Sequence, residues 1–474
     1  MDTNIFREYD IRGIVGEQLT DETVVNLTRA LGTFFARNGA RRIAIGYDAR
    51  ESSLRFYGLL TEALIASGLE VMQIGMVPTP VLYHTVHTKE VDGGVMITGS
   101  HNPAHHNGFK IALGKKTLFG EQIQEIKRIA LEEIQRPARE QGRDQDMPLE
   151  AETRPIGKAS SEEVLDDYVT DITAKLDFGT RKLKVVVDGG NGMGGVTAVP
   201  AYKSLGVELI ELFVEPDAAF PNHHPDPTVE ENLQDLIAAV REHSADVGLA
   251  FDGDGDRIGV VDETGRIIWG DELMILLSRE ILAVNPGATI IAEVKCSQNL
   301  YDDIERCGGT AIMERAGHSI IKSAMQRTGA LLAGEMSGHI FFADRFYGFD
   351  DATYAGARLL EILSKTDKPL SQLFEDIPKT FSTPELRIDC PDDIKVRVVA
   401  KVAEHFKQTH KVITIDGGRI LFDHGWGLVR ASNTQAILVM RFEADTEQHL
   451  DEIRSTVEEV AREAIVEASV AHNT

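Results

Sequence analysis

Cysteines and long hydrophobic runs are scarce in this chain of 474 residues, and basic residues are outnumbered by acidic ones. Its three cysteines, Cys296, Cys307 and Cys390, are odd in number and lack the spacing of a metal site. The sequence therefore favours a reducing compartment over a disulfide-rich secreted class. The 49 lysine and arginine residues against 75 aspartate and glutamate residues give a net charge of −26. This charge argues against nucleic acid and anionic membranes as partners.

No stretch approaches the roughly 18 consecutive apolar residues that a membrane-spanning helix needs. Residues 1–13 are polar and charged, without the apolar core of a signal peptide. We therefore expect a cytoplasmic protein that contacts no membrane. The acidic net charge does not exclude a phosphorylated substrate, because exposed charges more than about 10 Å away are largely screened by salt. An anionic ligand needs only a local patch of arginine, lysine and backbone N–H groups.

The hydrophobic pattern predicts alternating strands and helices, in a chain longer than one hydrophobic core usually serves. Short β-branched runs, each followed by a Gly-rich turn, occur at residues 42–46, 93–97, 184–187, 245–251 and 288–292. Amphipathic helical patterns lie between them, at residues 21–37, 54–68, 230–243 and 298–307. This alternation is typical of βαβ units, whose functional loops gather at the carboxyl ends of the strands.

Shifts in composition divide the chain into four predicted domains. Three are related α/β units with mixed, largely parallel sheets, at residues 1–160, 161–264 and 265–378. The fourth, at residues 379–474, is a smaller α+β domain in which strand-like runs precede an amphipathic helix. The charged, proline-bearing stretch 135–158 is interpreted as a linker or extended loop between the first two units.

The sharpest chemical signal is the segment 252–257, with the sequence DGDGDR. Its glycines let the backbone bend so that Asp252, Asp254 and Asp256 converge. Oxygen donors without histidine or cysteine indicate Mg²⁺ or a similar hard cation. A solvated acidic turn and an EF-hand are the alternatives, but the EF-hand needs glycine where Arg257 stands, and the flanking residues resemble strands.

A second signal is Ser100, in the segment 98–103 (TGSHNP) directly after an apolar strand. A serine in a tight turn after a strand is exposed to a ligand, and Lys110 follows in the segment 107–110 (NGFK). The adjacent His101 suggests a Ser–His dyad, yet no Gly-x-Ser-x-Gly elbow is present. Taken alone, the segment could also be a turn in which Ser100 caps a helix.

Two further polar loops fit an anionic, hydroxyl-rich ligand. Residues 334–339 (GEMSGH) place Glu335, Ser337 and His339 between glycines, which suits hydrogen bonds to sugar hydroxyls. Residues 430–434 (RASNT) supply donors for phosphate: Arg430, Ser432, Asn433 and Thr434. Each loop is a weak signal alone, and together with Ser100 and the aspartates they describe one ligand site.

Two other patterns have simpler interpretations. The pairs His105–His106 and His223–His224 lack further ligands at zinc-site spacing and are typical of surface loops. The Gly-rich segment 188–195 follows a strand but fits neither the dinucleotide fingerprint nor a phosphate-binding loop of the Walker type. We interpret it as a structural turn.

These four loops, in this order, together with the opening signature 6–13 (FREYDIRG), resemble the α-D-phosphohexomutase superfamily over essentially the whole chain. The likeness is greatest to its bacterial bifunctional phosphomannomutase/phosphoglucomutase branch. The resemblance implies a heart-shaped enzyme of four domains around a central cleft, to which each domain contributes a loop.

The resemblance also implies roles for individual residues. Ser100 matches the phosphoserine, which completes a Mg²⁺ site with Asp252, Asp254 and Asp256. Basic and proton-transferring groups near the phosphoryl group would be Arg12, His101, Lys110, Arg257 and His339, with Lys110 and His339 as the candidate general acid and base. The sugar and its distal phosphate would be contacted by Tyr9, Lys295, Gly317, His318, Glu335, Ser337, His339, Arg430, Ser432, Asn433 and Thr434.

The predicted activity is a phosphohexomutase reaction on mannose or glucose phosphates, with a hexose 1,6-bisphosphate as intermediate and activator. Three alternatives stay open: a phosphoglucosamine mutase on the same fold, a Mg²⁺-dependent sugar phosphatase, and a non-catalytic sugar-phosphate sensor. The sequence does not decide between a monomer and a dimer.

Overall fold

Three mixed sheets and one antiparallel sheet follow one another along the chain in the computed structural model, which describes residues 1–141, 157–432 and 436–472. The first sheet comprises β1 (Ile11–Ile14), β2 (Arg42–Tyr47), β3 (Glu70–Met76), β4 (Gly93–Ile97), β5 (His106–Leu113), β6 (Lys116–Thr117) and β7 (Ala159–Ser161). The accompanying helices are α1 (Asp21–Arg37), α2 (Ser53–Ala66), α3 (Thr79–Thr88) and α4 (Glu121–Gln141). The strand order is β1-β5-β4-β2-β3-β7, with β6 beside β5. Strands β4, β2, β3 and β7 pair in parallel, whereas β5 and β1 are antiparallel additions.

The second and third sheets repeat this plan of a parallel core with antiparallel strands at one edge. The second comprises β8 (Lys184–Asp188), β9 (Glu208–Leu212), β10 (Val247–Phe251), β11 (Ile258–Asp262) and β12 (Ile267–Ile268). The third comprises β13 (Thr289–Glu293), β14 (Thr310–Glu314), β15 (Leu332–Gly334) and β16 (Ile340–Phe342). The helices of this part are α5 (Leu165–Ala174), α6 (Gly194–Ser204), α7 (Gln234–His243), α8 (Gly270–Val284), α9 (Gln298–Arg306), α10 (His318–Thr328) and α11 (Ala352–Ser364).

The last sheet is antiparallel throughout its described pairings, in the order β17-β22-β21-β20-β19 with β18 beside β22. Its strands are β17 (Phe381–Ser382), β18 (Leu386–Asp389), β19 (Lys411–Ile413), β20 (Gly418–Phe422), β21 (Gly425–Ala431) and β22 (Ile437–Ala444). Two helices pack on it, α12 (Lys395–Lys407) and α13 (Glu447–His472). The predicted fold class, three α/β units and an α+β unit, is confirmed.

Burial explains the hydrophobic runs seen in the sequence. The central strands β4 and β10 are buried at every position, because helices cover both faces of a mainly parallel sheet. A single hydrophobic core continues from the second sheet into the third and reaches one face of the first, while the C-terminal unit has a core of its own. The three α/β units are thus not packed as independent bodies.

The stretch predicted as a linker is partly helical. Helix α4 extends to Gln141, so the first residues of the 135–158 stretch continue a helix that packs on α1. Its apolar residues Ile123, Ile126 and Ile129 recur at helical spacing and belong to the buried core of the first unit. Residues 142–156 lie outside the described residues. Among the helices the structure describes, none is both long enough and apolar enough to cross a bilayer.

Candidate active site

Ser100 lies three residues beyond the end of β4, in a tight and strained turn. Its backbone has φ of 50°, in the left-handed region that costs a non-glycine residue roughly 1 kcal/mol or more. The Thr98 hydroxyl accepts a hydrogen bond from the Ser100 N–H at 2.8 Å. The Ser100 hydroxyl lies 3.1 Å from Asp252 Oδ2 and 3.1 Å from His101 Nδ1.

One buried guanidinium holds this strained turn in place. Arg50 donates hydrogen bonds to the backbone carbonyls of Ser100 (2.7 Å), Asn102 (2.6 Å), Pro103 (2.6 Å) and His106 (3.0 Å). Its Nε also donates to Asp48, and both side chains are almost fully buried. Gly99 makes this approach possible, since a Cβ there would lie 2.6 Å from the guanidinium. Arg50 could not be predicted from the sequence, because the backbone carbonyls that it binds in another loop leave no mark there.

The three aspartates of the 252–257 segment form the turn between β10 and β11, and all are completely buried. Asp252, Asp254 and Asp256 each present an oxygen within 4.8 Å of the others. Asp252 Oδ1 accepts hydrogen bonds from the backbone N–H groups of Asp256 and Arg257, which fixes its direction. The flanking strands confirm that the segment is not an EF-hand.

The Gly-rich segment 188–195 supports this turn from behind. The Met193 N–H donates to the Gly253 carbonyl at 3.0 Å. A Cβ at Gly192 would lie 2.8 Å from the Gly253 Cα, so only glycine allows the two turns to pack this closely. The interpretation as a structural turn agrees with these contacts, and the structure adds what the turn supports.

Lys110 on β5 reaches the same aspartates from the first sheet. Its Nζ donates to Asp254 Oδ2 at 2.6 Å and also to Asp256 Oδ2, and its side chain is 4% exposed. Burial lowers the pKa of Lys110, but Asp254 and Asp256 outweigh it and raise the pKa well above its ordinary value. Burial and the two neighbouring carboxylates raise the pKa of Asp252. Three buried carboxylates facing one ammonium group make this a place that favours a cation.

His339, after β15, links the aspartate turn to a buried polar network. Its Nε2 accepts a hydrogen bond from Arg257 Nε at 2.9 Å, and its Nδ1 lies 3.1 Å from Asp350 Oδ2. Lys322 donates to the other oxygen of Asp350 at 2.9 Å. His318 stacks on His339 with ring centroids 5.6 Å apart. The sequence pointed to His318, His339 and Arg257 but not to Asp350, which pairs with His339 across the sheet edge.

The predicted sugar loop meets the segment around Gly317. Glu335 accepts a hydrogen bond from the Gly317 N–H at 2.6 Å, and Tyr9 donates to the Ala316 carbonyl at 2.9 Å. Gly317 has φ of 134°, and a Cβ there would lie 2.6 Å from the Tyr9 ring. Residues from the first and third units therefore meet at this wall, and Ser337 lies half-buried beside them.

The C-terminal unit supplies a further wall of the site, which adjoins the segment around Gly317. Arg430 on β21 donates to Asp416 at 2.9 Å, and Asp416 also accepts from the Ala316 N–H at 3.2 Å. Lys295 after β13 lies 3.2 Å from Glu385, a partner that the sequence pattern did not predict. Ser432 ends the described part of this loop, and the predicted ligands Asn433 and Thr434 lie outside the described residues.

These walls enclose a cleft of about 510 Å³. Of the predicted site residues, those that line it are Tyr9, Arg12, His101, Arg257, Lys295, Gly317, His318, Glu335, Ser337, His339, Arg430 and Ser432. His101 and Arg257 line the cleft, and the buried groups lie directly behind them: Ser100, Lys110 and the three aspartates. Arg7 and Arg387 also line the cleft, and Arg7 stands in the opening signature 6–13.

The paired histidines contact protein side chains, and His223, expected in a surface loop, has a side chain that is only 13% exposed. His223 lies 3.0 Å from Asp188, which raises its pKa against the opposing effect of burial. His105 and His106 stack on each other with centroids 4.5 Å apart. Among the described residues, neither pair belongs to a group with the spacing of a metal site.

A buried serine, an acidic cation site and a cleft lined by arginine and lysine suit an enzyme that transfers a phosphoryl group. Models of one family match the chain in order: phosphoglucomutase/phosphomannomutase alpha/beta/alpha domain I at residues 3–137, domain II at 166–265, domain III at 269–381 and the C-terminal domain at 385–460.

Named relatives agree with this family. The chain is 46% identical over 453 residues to the phosphomannomutase/phosphoglucomutase of Pseudomonas putida, covering 95% of this chain and 94% of that protein. It is also 46% identical over 456 residues to a phosphoglucomutase of Neisseria gonorrhoeae, covering 95% of each. A crystal structure of a phosphoglucomutase/phosphomannomutase family protein from Burkholderia thailandensis superimposes with a TM-score of 0.89 at 40% identity over 98% of both chains. The chain belongs to the phosphoglucomutase/phosphomannomutase family, which confirms the predicted family and enzyme class.

Proposed function

We propose that this enzyme interconverts the 1-phosphates and 6-phosphates of glucose and of mannose through a phosphoserine at Ser100. The observation that carries the proposal is the position of the Ser100 hydroxyl, 3.1 Å from the buried Asp252 carboxylate and beside the cationic cleft. A phosphoryl group on this oxygen would lie between the cation site and the sugar-phosphate cleft.

The residues present fit a bound Mg²⁺ ion. Asp254 Oδ1 and Asp256 Oδ1 are buried without a hydrogen-bond partner, although buried carboxylate oxygens normally have one. Asp252, Asp254 and Asp256, with an oxygen of phosphorylated Ser100, would hold the ion through hard oxygen ligands. When bound, Mg²⁺ would neutralise negative charge that spreads over the phosphoryl oxygens during transfer.

The chain itself would contribute positioning and positive charge. Phosphoryl transfer needs in-line placement and charge neutralisation more than covalent chemistry from the protein. Lys110 would act as a permanent cation, because its raised pKa makes it a poor proton acceptor. Arg12, held by Asp10 and Asn102 at the cleft wall, would neutralise the phosphoryl group from the other side.

Proton transfer to and from the sugar hydroxyl would fall to a histidine. Burial and the neighbouring Arg257 and Arg12 hold the pKa of His101 well below its ordinary value, so its ring is neutral at neutral pH. His339 has Nε2 engaged by Arg257 and Nδ1 directed at Asp350, which keeps it in one orientation. Both rings line the cleft, and both are candidates for the general acid and base.

A mutase must handle both ends of its substrate. The phosphoryl group of Ser100 would pass to the sugar, giving a hexose 1,6-bisphosphate, and after this intermediate turns end for end its other phosphate would return to Ser100. Arg430, Ser432 and the neighbouring Lys295 would bind whichever phosphate is distal. Glu335 and Ser337 would hydrogen-bond the sugar ring in either orientation, which suits a loop of carboxylate and hydroxyl groups.

Coupled assays on each sugar test this proposal. With hexose 1,6-bisphosphate as activator, we expect both glucose 1-phosphate and mannose 1-phosphate to be converted to the 6-phosphates. Turnover of glucosamine phosphate alone would assign another sugar, and release of inorganic phosphate without isomerisation would assign a phosphatase. Tight binding of hexose phosphate with no turnover of any kind would assign a sensor.

A further inference from the structure

A second group of metal-type ligands lies on the surface of the C-terminal unit. His424 lies in the turn between β20 and β21, Asp445 follows β22, and His449 is in the first turn of α13. One ligand atom from each lies within 4.8 Å of the others. We propose that His424, Asp445 and His449 form a binding site for a divalent transition-metal ion of the Zn²⁺ type.

The side chains are already arranged around one carboxylate. His424 Nδ1 lies 3.2 Å from Asp445 Oδ2, and His449 Nδ1 lies 2.5 Å from Asp445 Oδ1. The two imidazole rings are stacked, with centroids 4.1 Å apart and planes inclined by 11°. Nitrogen and oxygen ligands bound to Zn²⁺ at about 2.0–2.2 Å in tetrahedral directions are themselves roughly 3.3 Å apart, so small ring movements would open the group around an ion.

The backbone fixes all three ligand positions. The Asp445 N–H donates to the His424 carbonyl at 3.0 Å, which ties the end of β22 to the turn that carries His424. The His449 N–H donates to the Thr446 hydroxyl at 3.2 Å, at the start of the helix. A site on such a framework loses little backbone freedom when it binds an ion.

Ligand chemistry favours a transition metal over a hard cation. Imidazole nitrogens suit Zn²⁺, Ni²⁺ and Cu²⁺, whereas Mg²⁺ prefers oxygen ligands. His424 and Asp445 are about half exposed, which leaves room for water to complete the coordination.

This group is separate from the aspartate site. It adjoins the Gly425 and Ala444 end of the paired strands β21 and β22, whereas Arg430 stands near the other end. At about 3.3 Å per residue, the five steps along the strand from Gly425 to Arg430 span roughly 17 Å. The proposed ion would therefore act on the C-terminal unit and not on the reacting phosphoryl group.

Calorimetric titration of the tag-free, full-length protein with zinc chloride tests the site, in a buffer with excess Mg²⁺ to occupy the aspartate site. We expect His424→Ala and His449→Ala to weaken or remove one Zn²⁺-binding event by at least about tenfold, since even indirect partners of a metal ligand contribute 10–100-fold. His405→Ala, which removes an exposed histidine of the same unit, is the matched control and should leave the number and affinity of bound Zn²⁺ ions unchanged.

Folding and activity of the variants are checked by circular dichroism and by the mutase assay, and both should equal those of the wild type. Zinc-induced shifts of the His424 and His449 ring signals in NMR spectra give an independent measure of Zn²⁺ binding at these two side chains. If the wild type and His424→Ala bind the same number of Zn²⁺ ions with equal affinity, the group is an ion pair alone and the proposal is wrong.

Discussion

Arg50 offers a test of how the fold positions the proposed nucleophile. The Arg50→Lys substitution keeps the positive charge beside Asp48 but loses the planar fork that serves four carbonyls at once. A lysine ammonium in this place can reach one or two of them. Each buried carbonyl left without a donor costs about 1–3 kcal/mol, so the turn that holds Ser100 should relax from its left-handed conformation.

The expected consequence is a loss of turnover with substrate binding retained. A displacement of about 1 Å in a reacting group can lower the rate by about 100-fold, which corresponds to roughly 2.7 kcal/mol in the barrier. The residues proposed to bind the distal phosphate and the sugar make no contact with Arg50 in the described structure, so KM for glucose 1-phosphate should change little. The coupled assay gives kcat and KM, and peptide mass spectrometry gives the phosphorylated fraction of Ser100.

A nearby arginine provides the control for this experiment. Arg55 lies on α2, is half exposed and pairs with Asp21 at the surface, so Arg55→Lys should leave kcat unchanged. Circular dichroism establishes the folded fraction of both variants, to which kcat is normalised. A folded Arg50→Lys enzyme whose normalised kcat stays within about twofold of the wild type would show that Arg50 stabilises the fold without positioning Ser100.

Two further predictions concern the sugar wall and the buried core. Gly317→Ala introduces backbone strain of about 1–3 kcal/mol at φ of 134° and a clash with Tyr9, so KM for hexose phosphates should rise about tenfold or more. The control is Gly287→Ala, at φ of 83° with open space around it, which should leave KM unchanged. Burial raises the pKa of Asp351 to about 7, so its neutral form is favoured in the folded state and stability is lost as the pH rises through that value. Melting temperatures between pH 5 and 8 should therefore fall less steeply for Asp351→Asn than for the wild type, and equal slopes would contradict the raised pKa.

The sequence predicted those parts of the site that lie directly after strands. Ser100 follows β4 and Asp252 follows β10, and the carboxyl ends of such strands collect functional loops. The 3.1 Å contact between them joins two different sheets, which neither strand pattern could specify. The resemblance to a family supplied that link before the structure did.

Other features could not be predicted because their partners are backbone atoms or distant acids. Arg50 binds carbonyl groups, which every residue carries. Asp350 meets His339 because the chain after β16 returns beside that strand, where Asp350 forms a bridge with Phe341. The continuous core between the second and third units was also not predicted, since the strand patterns of separate units say nothing of how their helices pack together. The extension of α4 to Gln141 shows that charged residues and Pro137 did not by themselves mark the end of this helix.

The phosphorylation state of Ser100 is the most direct test of the proposed mechanism. Peptide mass spectrometry of the enzyme after incubation with hexose 1,6-bisphosphate should find one added phosphoryl group, on Ser100. An excess of glucose 1-phosphate should remove it, and Ser100→Ala should abolish both the modification and the mutase activity. A purified Ser100→Ala enzyme with full activity, or a substrate-labile phosphate on another residue, would contradict the account.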